Sequence, residues 1–367
     1  MTIATHAAAS RTLLVAGAGG LIGSAAVERF AADARWRVLA LGRRTLALPD
    51  GVVRVTLDLT DAAACREVIA RLGRVTHVLY AALYEKPDLV AGWRDPQQMA
   101  VNAAMLRNLL DALAQPGSAL RHVTVLQGTK AYGSHIEPPP VPCREDAPRH
   151  QHENFYWLQE DLLRERQPKA AWTFSILRPQ VVFGHALASP MNIVAAIGAY
   201  ASLQRELGTP LSFPGGGRFV NAASDSRLIA AAVEFCMTHE VAANETYNVV
   251  NGDALQWHET FGAVARHFGM PTAAPHPQAL AVEMPRLAGV WARIADRHSL
   301  ASPSLAELIG SSWQFADRMF AHGVQAPPHA LLSPIKLRNH GFHDCVDSTE
   351  SLLHWLDRLQ RARLLPP

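Results

Sequence analysis

The chain has 367 residues, which suits one large α/β domain with an appended lobe, or roughly two domains. Its 34 basic and 32 acidic side chains leave a formal charge of +2 with no block of like charge, which argues against nucleic acid or a membrane surface as the main partner. A hydrophobic fraction of 49% with 18% charged residues is enough to build a generous core.

Four cysteines, Cys65, Cys143, Cys236 and Cys345, lie far apart without metal-type spacing and read as reduced thiols. The opening "MTIATHAAASRT" lacks a basic start followed by an apolar stretch, and the run "NIVAAIGAYASL" is too short for a bilayer. The expectation is a soluble, cytoplasmic protein with its oligomeric state open, a homodimer being one option.

In chain order, "TLLVA" (12–16) is a short apolar run ending in glycines, with an Ala-rich helical pattern behind it. "WRVLAL" (36–41), "VVRVTL" (52–57), "THVLYAA" (76–82), "RHVTVL" (121–126) and "WTFSILRP" (172–179) repeat the theme. Helical stretches such as "DAAACREVIARLG" and "MLRNLLDALAQ" separate them. Such alternation predicts an α/β fold of Rossmann type, a doubly wound parallel sheet covered on both faces. Residues 1–185 are expected to form the dinucleotide-binding domain. Residues 186–367 are expected to form a smaller, mostly helical substrate lobe, with segments such as 245–253 returning to the sheet. "EPPPVPCRED" (137–146) reads as a stiff, extended loop.

"VAGAGGLIG" sets Gly17, Gly20 and Gly23 three apart, with Gly19 extra, between a strand and a helix. There, backbone N–H groups approach a pyrophosphate at a helix N-terminus. The second strand ends in Gly42, Arg43 and Arg44, with no acid before Asp50. A carboxylate would accept from a ribose 2′-hydroxyl, whereas guanidinium groups pair with a 2′-phosphate, so NADP(H) is the expected cofactor. Asp58 is either an adenine-side contact or, with Asp61, a helix N-terminal acid. Ala81 and Ala82 would line the cofactor channel.

Short-chain dehydrogenases usually carry Lys four residues after the catalytic Tyr, one helical turn along the same face. None of the six tyrosines here has one; after Tyr156, in "ENFYWLQEDLLRER", the position holds Glu160. Glu160 is expected to face solvent and pair with Arg164. The fifth strand, however, runs into "LQGTKAYG" (126–133), which puts Lys130 at the carboxyl edge of a central strand, facing the cofactor crevice.

With these motifs the chain resembles the progesterone 5β-reductase/iridoid synthase family of atypical extended short-chain dehydrogenases. The markers are the glycine turn, Arg43–Arg44, Gly128-Thr129-Lys130-Ala131-Tyr132, and Asn154-Phe155-Tyr156-Trp157 with Glu160-Asp161. The likeness continues through "RPQVVFG", "SPMN", "YNVVNGD", "NHGF" and "DSTESLLHWLD". The "LQGTK" turn is one residue shorter than the family's usual form, and the following loop is proline-rich.

The resemblance implies NADPH-dependent reduction of an activated C=C bond, with hydride going to the β-carbon of an enone or enal. Tyr156 would hold the developing enolate oxygen, and Lys130 would supply positive charge and bias the Tyr156 pKa downwards. The implied cofactor contacts are Gly17, Gly19, Gly20, Leu21, Ile22, Gly23, Arg43, Arg44, Asp58, Leu59, Ala81, Gln127, Pro179 and Val181. Thr129, Tyr132, Met191, Asn192 and Phe342 are expected to contact the substrate, a small apolar carbonyl compound. Trp93, Trp157 and Phe183 are further apolar candidates, and Tyr132 is equally a packing residue. Asn102 either holds backbone near the site or is a surface amide. His150 and His152 lack a third ligand at metal spacing.

Two competing functions remain. A sugar-nucleotide epimerase/dehydratase or a carbonyl/hydroxysteroid dehydrogenase would need the missing lysine on the Tyr156 helix. A non-catalytic, NADPH-sensing regulator would keep the cofactor site alone.

Overall fold

The computed structural model describes residues 11–45, 47–187 and 189–367. The reading of the first ten residues therefore lies outside the described residues.

Six early apolar runs become strands β1 (Arg11–Ala16), β2 (Trp36–Gly42), β3 (Val53–Thr56), β4 (His77–Tyr80), β5 (His122–Leu126) and β6 (Thr173–Pro179). Two short strands follow, β7 (Val181–Phe183) and β8 (Ala223–Asp225), which pair in parallel as a separate ribbon. The last strand, β9 (Glu245–Val249), returns to the main sheet beside β6. That sheet is parallel throughout, in the order β3-β2-β1-β4-β5-β6-β9. The fold is therefore a doubly wound Rossmann-type α/β sheet, and its order reverses between β1 and β4. Ligands of such sheets bind outside the strands' carboxyl ends at that reversal.

The strands are apolar because both faces are covered. On β1, Leu13 and Val15 point into a core shared with helices α1 (Leu21–Ala31) and, from the second half of the chain, Ser226–Thr238. Leu14 and Ala16 point the other way, against α2 (Ala62–Arg71) and, nearer β5, Pro96–Leu113 and Phe155–Arg166. Successive side chains of one strand thus feed two cores, the period of two that a strand imposes. Helix starts are written in the sequence as Asx caps. Asp61 accepts from the N–H groups of Ala63 and Ala64, Asp95 from Gln98, and Asn154 from Tyr156.

A third core builds the C-terminal, mostly helical region around helix Ile193–Glu206, with Trp257, Trp291, Trp313 and Trp355 buried against it. Helix Ser312–Met319 belongs to this core and leans over the carboxyl ends of the strands.

Candidate active site

A cavity of about 1420 Å³ lies along the carboxyl ends of the strands, from the glycine turn to helix Ser312–Met319. At one end Gly17 has φ of +86°, and a Cβ there would sit 2.6 Å from the Ala81 carbonyl oxygen. A Cβ on Gly23 would fall 2.1 Å from the Gly17 carbonyl, so neither position tolerates a side chain. Gly20 caps α1 without a side chain, leaving the first-turn N–H groups facing the cavity. This is a cradle shaped for a pyrophosphate.

Arg43 and Arg44 follow β2 on the cavity wall, both exposed, and Arg43 makes no hydrogen bond or ion pair among the described residues. Asp58 also lines the wall while its Oδ1 accepts from the N–H and hydroxyl of Thr60 at 2.9 and 2.8 Å. Those bonds, helped by the Arg43 charge, hold its pKa below the usual carboxylate value. The helix N-terminal acid is Asp61, whose carboxylate accepts from the Ala63 and Ala64 N–H groups. All fourteen residues expected to contact a dinucleotide line this one cavity.

Past the cofactor cradle, β5 is followed directly by Gln127 and Gly128. A Cβ on Gly128 would lie 3.5 Å from the Tyr156 hydroxyl, so the phenol reaches the end of the central strand. Among the described residues that hydroxyl has no hydrogen-bond partner. Lys130 is buried beside it, with Nζ 3.4 Å from Glu85 Oε1 and 5.7 Å from the Tyr156 ring centroid. The same ammonium stands 4.6 Å from the Trp93 ring and 5.6 Å from Phe155, an aromatic cage around a paired cation.

The electrostatics depart from expectation at one point. Burial, and then the Glu85 carboxylate, push the Tyr156 pKa well above that of a free tyrosine, with Arg178 opposing in part. Lys130, expected to bias it downwards, pairs with Glu85. Burial in turn lowers the Lys130 pKa, against the pull of Glu85. Tyr156 is therefore held in its protonated form.

Asn154 explains why these two side chains converge. Its Oδ1 accepts from the Tyr156 N–H at 3.0 Å, and its Nδ2 donates to the Lys130 carbonyl at 2.7 Å. One amide thus ties the Tyr156 helix to the β5 edge. Asn102, wholly buried, does the same for the loop carrying Glu85, accepting from Tyr84 N–H and donating to the Tyr84 and Gln98 carbonyls. Glu85 is a site residue that the sequence did not single out, and Asn154 was named there only as part of a motif, without its bridging role. The N-cap position of Asn154, two residues before Tyr156, was a usable signal; Glu85 carried none.

Glu160 requires a correction. It pairs with Arg164 at 2.9 Å as expected, but it is buried rather than solvent-facing. Arg178, itself buried on β6, donates to its Oε2 at 3.1 Å and to Gln127 Oε1 at 3.2 Å. Gln127 then donates to the Tyr156 carbonyl at 3.0 Å. The position that usually carries lysine is here a carboxylate anchoring the strand to the Tyr156 helix.

Of the expected substrate contacts, Thr129 and Met191 line the cavity, as does Trp93. The structure does not bring Tyr132, Asn192 or Phe342 to it. The Tyr132 hydroxyl donates to Asn248 Oδ1 at 2.6 Å, its ring lies 5.0 Å from the Arg178 guanidinium, and burial pushes its pKa up to about 12. Asn192 is an N-cap whose Nδ2 is spent on the Ala186 carbonyl. Phe342 packs against Phe235 on the far side of the sheet. Phe183 is fully buried in the C-terminal core, and Trp157 lies under Arg149. His150 and His152 contact each other through Nδ1 atoms 2.8 Å apart. Among the described residues no group of His, Cys, Asp or Glu could hold a metal ion, and no helix is long and apolar enough to cross a membrane.

A fold and a crevice of this kind define a nicotinamide-dinucleotide oxidoreductase of the extended short-chain dehydrogenase type. The model of the NAD dependent epimerase/dehydratase family matches residues 13–249, and the chain belongs to that family, in its progesterone 5β-reductase/iridoid synthase-like branch. It is 30% identical to a 3-oxo-Delta(4,5)-steroid 5-beta-reductase of Arabidopsis thaliana, over 96% of this chain and 92% of the relative. An (S)-8-oxocitronellyl enol synthase of Camptotheca acuminata is 28% identical over 96% and 93%. Among solved structures, the Thermus thermophilus UDP-glucose 4-epimerase complex with NAD superposes with a TM-score of 0.66 at 22% identity, covering 96% of this chain and 99% of that one. At that identity the likeness concerns the fold.

Proposed function

We propose that this protein is an NADPH-dependent reductase of activated C=C bonds, acting on enones or enals by 1,4-addition. The observation that carries the reading is the Tyr156 hydroxyl, unpartnered at the end of β5 in a buried setting that keeps it protonated. A carbonyl oxygen placed against it would gain charge as hydride reached the β-carbon, and the O–H would stabilise that enolate as an oxyanion hole does. A tyrosine held protonated suits the donor role of a reduction better than the base of alcohol oxidation or sugar epimerisation. Lys130, neutralised by Glu85 and caged by Trp93 and Phe155, positions the Tyr156 ring and keeps a cation close to the developing charge.

When bound, the dinucleotide supplies the hydride. The Gly17–Gly23 turn and α1 N-terminus would hold its pyrophosphate, and Asp58 and Leu59 would flank the adenine. Arg43 and Arg44, with no carboxylate at the end of β2, favour a 2′-phosphate and hence NADP(H). In this reading residues 1–185 bind the dinucleotide, joined by helix Ser226–Thr238 and β9, and the rest of 186–367 closes the substrate side. The relatives' names, a steroid reductase and an enol synthase, agree with an enone chemistry.

The test is turnover of 2-cyclohexen-1-one with NADPH, followed at the nicotinamide absorbance and by product analysis. The expected product is the saturated ketone. Allylic alcohol as sole product, or no reduction of any enone, overturns the proposal.

A further inference from the structure

The substrate end of the cavity holds more positive charge than a purely apolar enone needs. Helix Ser312–Met319 presents Arg318 to it, and the turn after helix Leu89–Gly92 presents Arg94 at its rim. Arg318 Nη2 donates to the Ser134 carbonyl at 2.6 Å, and Arg94 Nη2 to the His135 carbonyl at 2.9 Å. Among the described residues neither has a carboxylate within ion-pair distance. The acids on the same wall are committed elsewhere: Glu137 to His150 at 2.9 Å, and Asp317 to the N–H groups of Leu280 and Ala281 at 2.7 and 2.9 Å.

Each guanidinium offers five N–H donors and spends them here on single backbone carbonyls. Half-burial of Arg318, with the Arg94 charge nearby, lowers the Arg318 pKa. Two like charges facing one cavity without a counter-charge are a standing cost that a bound anion would relieve. The Arg318 guanidinium lies 5.4 Å from the same Trp93 ring that holds the Lys130 ammonium at 4.6 Å. The cationic wall and the enolate site are thus separated by little more than one indole, within reach of a single substrate molecule.

We propose that the substrate carries, besides its enone or enal, a carboxylate that Arg318 holds with help from Arg94. This rests on the conjugate-reduction reading above. Arg318 is then the specificity-determining residue: a planar fork suited to a bidentate carboxylate, aimed into the cavity from the C-terminal lobe.

The experiment compares acid and methyl ester in a series of terminal-carboxylate enals, 8-oxooct-6-enoic, 10-oxodec-8-enoic and 12-oxododec-10-enoic acid, with the intact protein and NADPH. At the best chain length the acid should exceed its ester in kcat/KM by about tenfold or more, the size of one charge-assisted hydrogen bond. That ratio should shrink as salt is raised to about 0.5 M. In Arg318→Leu the ratio should fall to near one through a higher KM for the acid, and Arg318→Lys should restore part of it. Esters reduced as well as acids at every length, with no salt dependence of the ratio, would overturn the inference and leave the enone reading standing. Failure of cyclohexenone and of the whole series would remove both.

Discussion

Arg178 reaches across from β6 to donate to Glu160 at 3.1 Å, and both side chains are buried, so a strand and the Tyr156 helix are joined by an ion pair where related enzymes carry a catalytic lysine. Breaking a buried pair from one side leaves an uncompensated charge and costs about 3–5 kcal/mol. Glu160→Lys, which restores the Tyr-x-x-x-Lys spacing, is therefore expected to lower the unfolding midpoint sharply without creating alcohol dehydrogenase activity. A stable Glu160→Lys protein that oxidises secondary alcohols would refute this account of the helix. Denaturant titration and an alcohol oxidation assay decide it.

The Tyr156 hydroxyl gives a second expectation. Burial and Glu85 raise its pKa, so the donor form persists from about pH 5 to beyond pH 9. The kcat/KM for enone reduction should accordingly show no rise with pH of the kind a tyrosinate base would produce. Tyr156→Phe should cost about 3–4 kcal/mol of barrier, on the order of a hundred- to thousand-fold in rate, while NADPH binding survives. A rate that climbs steadily from pH 7 to pH 9, or a Tyr156→Phe variant of undiminished activity, would contradict the donor role.

How far the sequence carried the reading depended on whether a signal was local. The glycine turn, the β1–β6 runs and Arg43–Arg44 are properties of short segments, and all three lead to one cavity. Lys130 was legible because a strand edge faces the crevice in this fold. Glu85 was not, since its meeting with Lys130 joins residues on different loops. Glu160 misled for the same reason: the i,i+4 partner Arg164 is visible along the helix, whereas Arg178 arrives from another strand. Phe342 and Asn192 lie off the cavity because distant packing, not the local motif, decides which way they face: Phe342 joins the sheet core beside Phe235, and Asn192 caps the first helix of the C-terminal core.

Cofactor choice follows from the two arginines behind β2. Each charge-assisted bond to a 2′-phosphate contributes about 1.5–3 kcal/mol, or roughly ten- to hundredfold in affinity. Arg43→Ala with Arg44→Ala should raise the KM for NADPH by about that factor or more while leaving NADH nearly unchanged. A wild-type preference for NADH, or a double variant that discriminates as before, would remove the arginines from this role.

The pairing of β4 with β5 sets His77 opposite His122, each with a ring nitrogen 2.8 Å from a threonine hydroxyl, Thr76 and Thr173 respectively. Burial keeps both neutral, His77 down to about pH 4 and His122 to about pH 3, with neighbouring positive charge adding to the effect. The unfolded histidines titrate near 6.5, so between these values the unfolded chain binds protons that the folded chain refuses. Stability is thus fully present above about pH 6.5 and is lost as the pH falls towards 4 and 3. At pH 5 the loss should be about 2 kcal/mol for each histidine, since one pKa unit corresponds to about 1.4 kcal/mol. Urea midpoints measured at pH 7 and pH 5 check this, and His122→Gln should flatten part of the difference; equal midpoints in the unsubstituted protein would show that the paired histidines do not set its acid sensitivity.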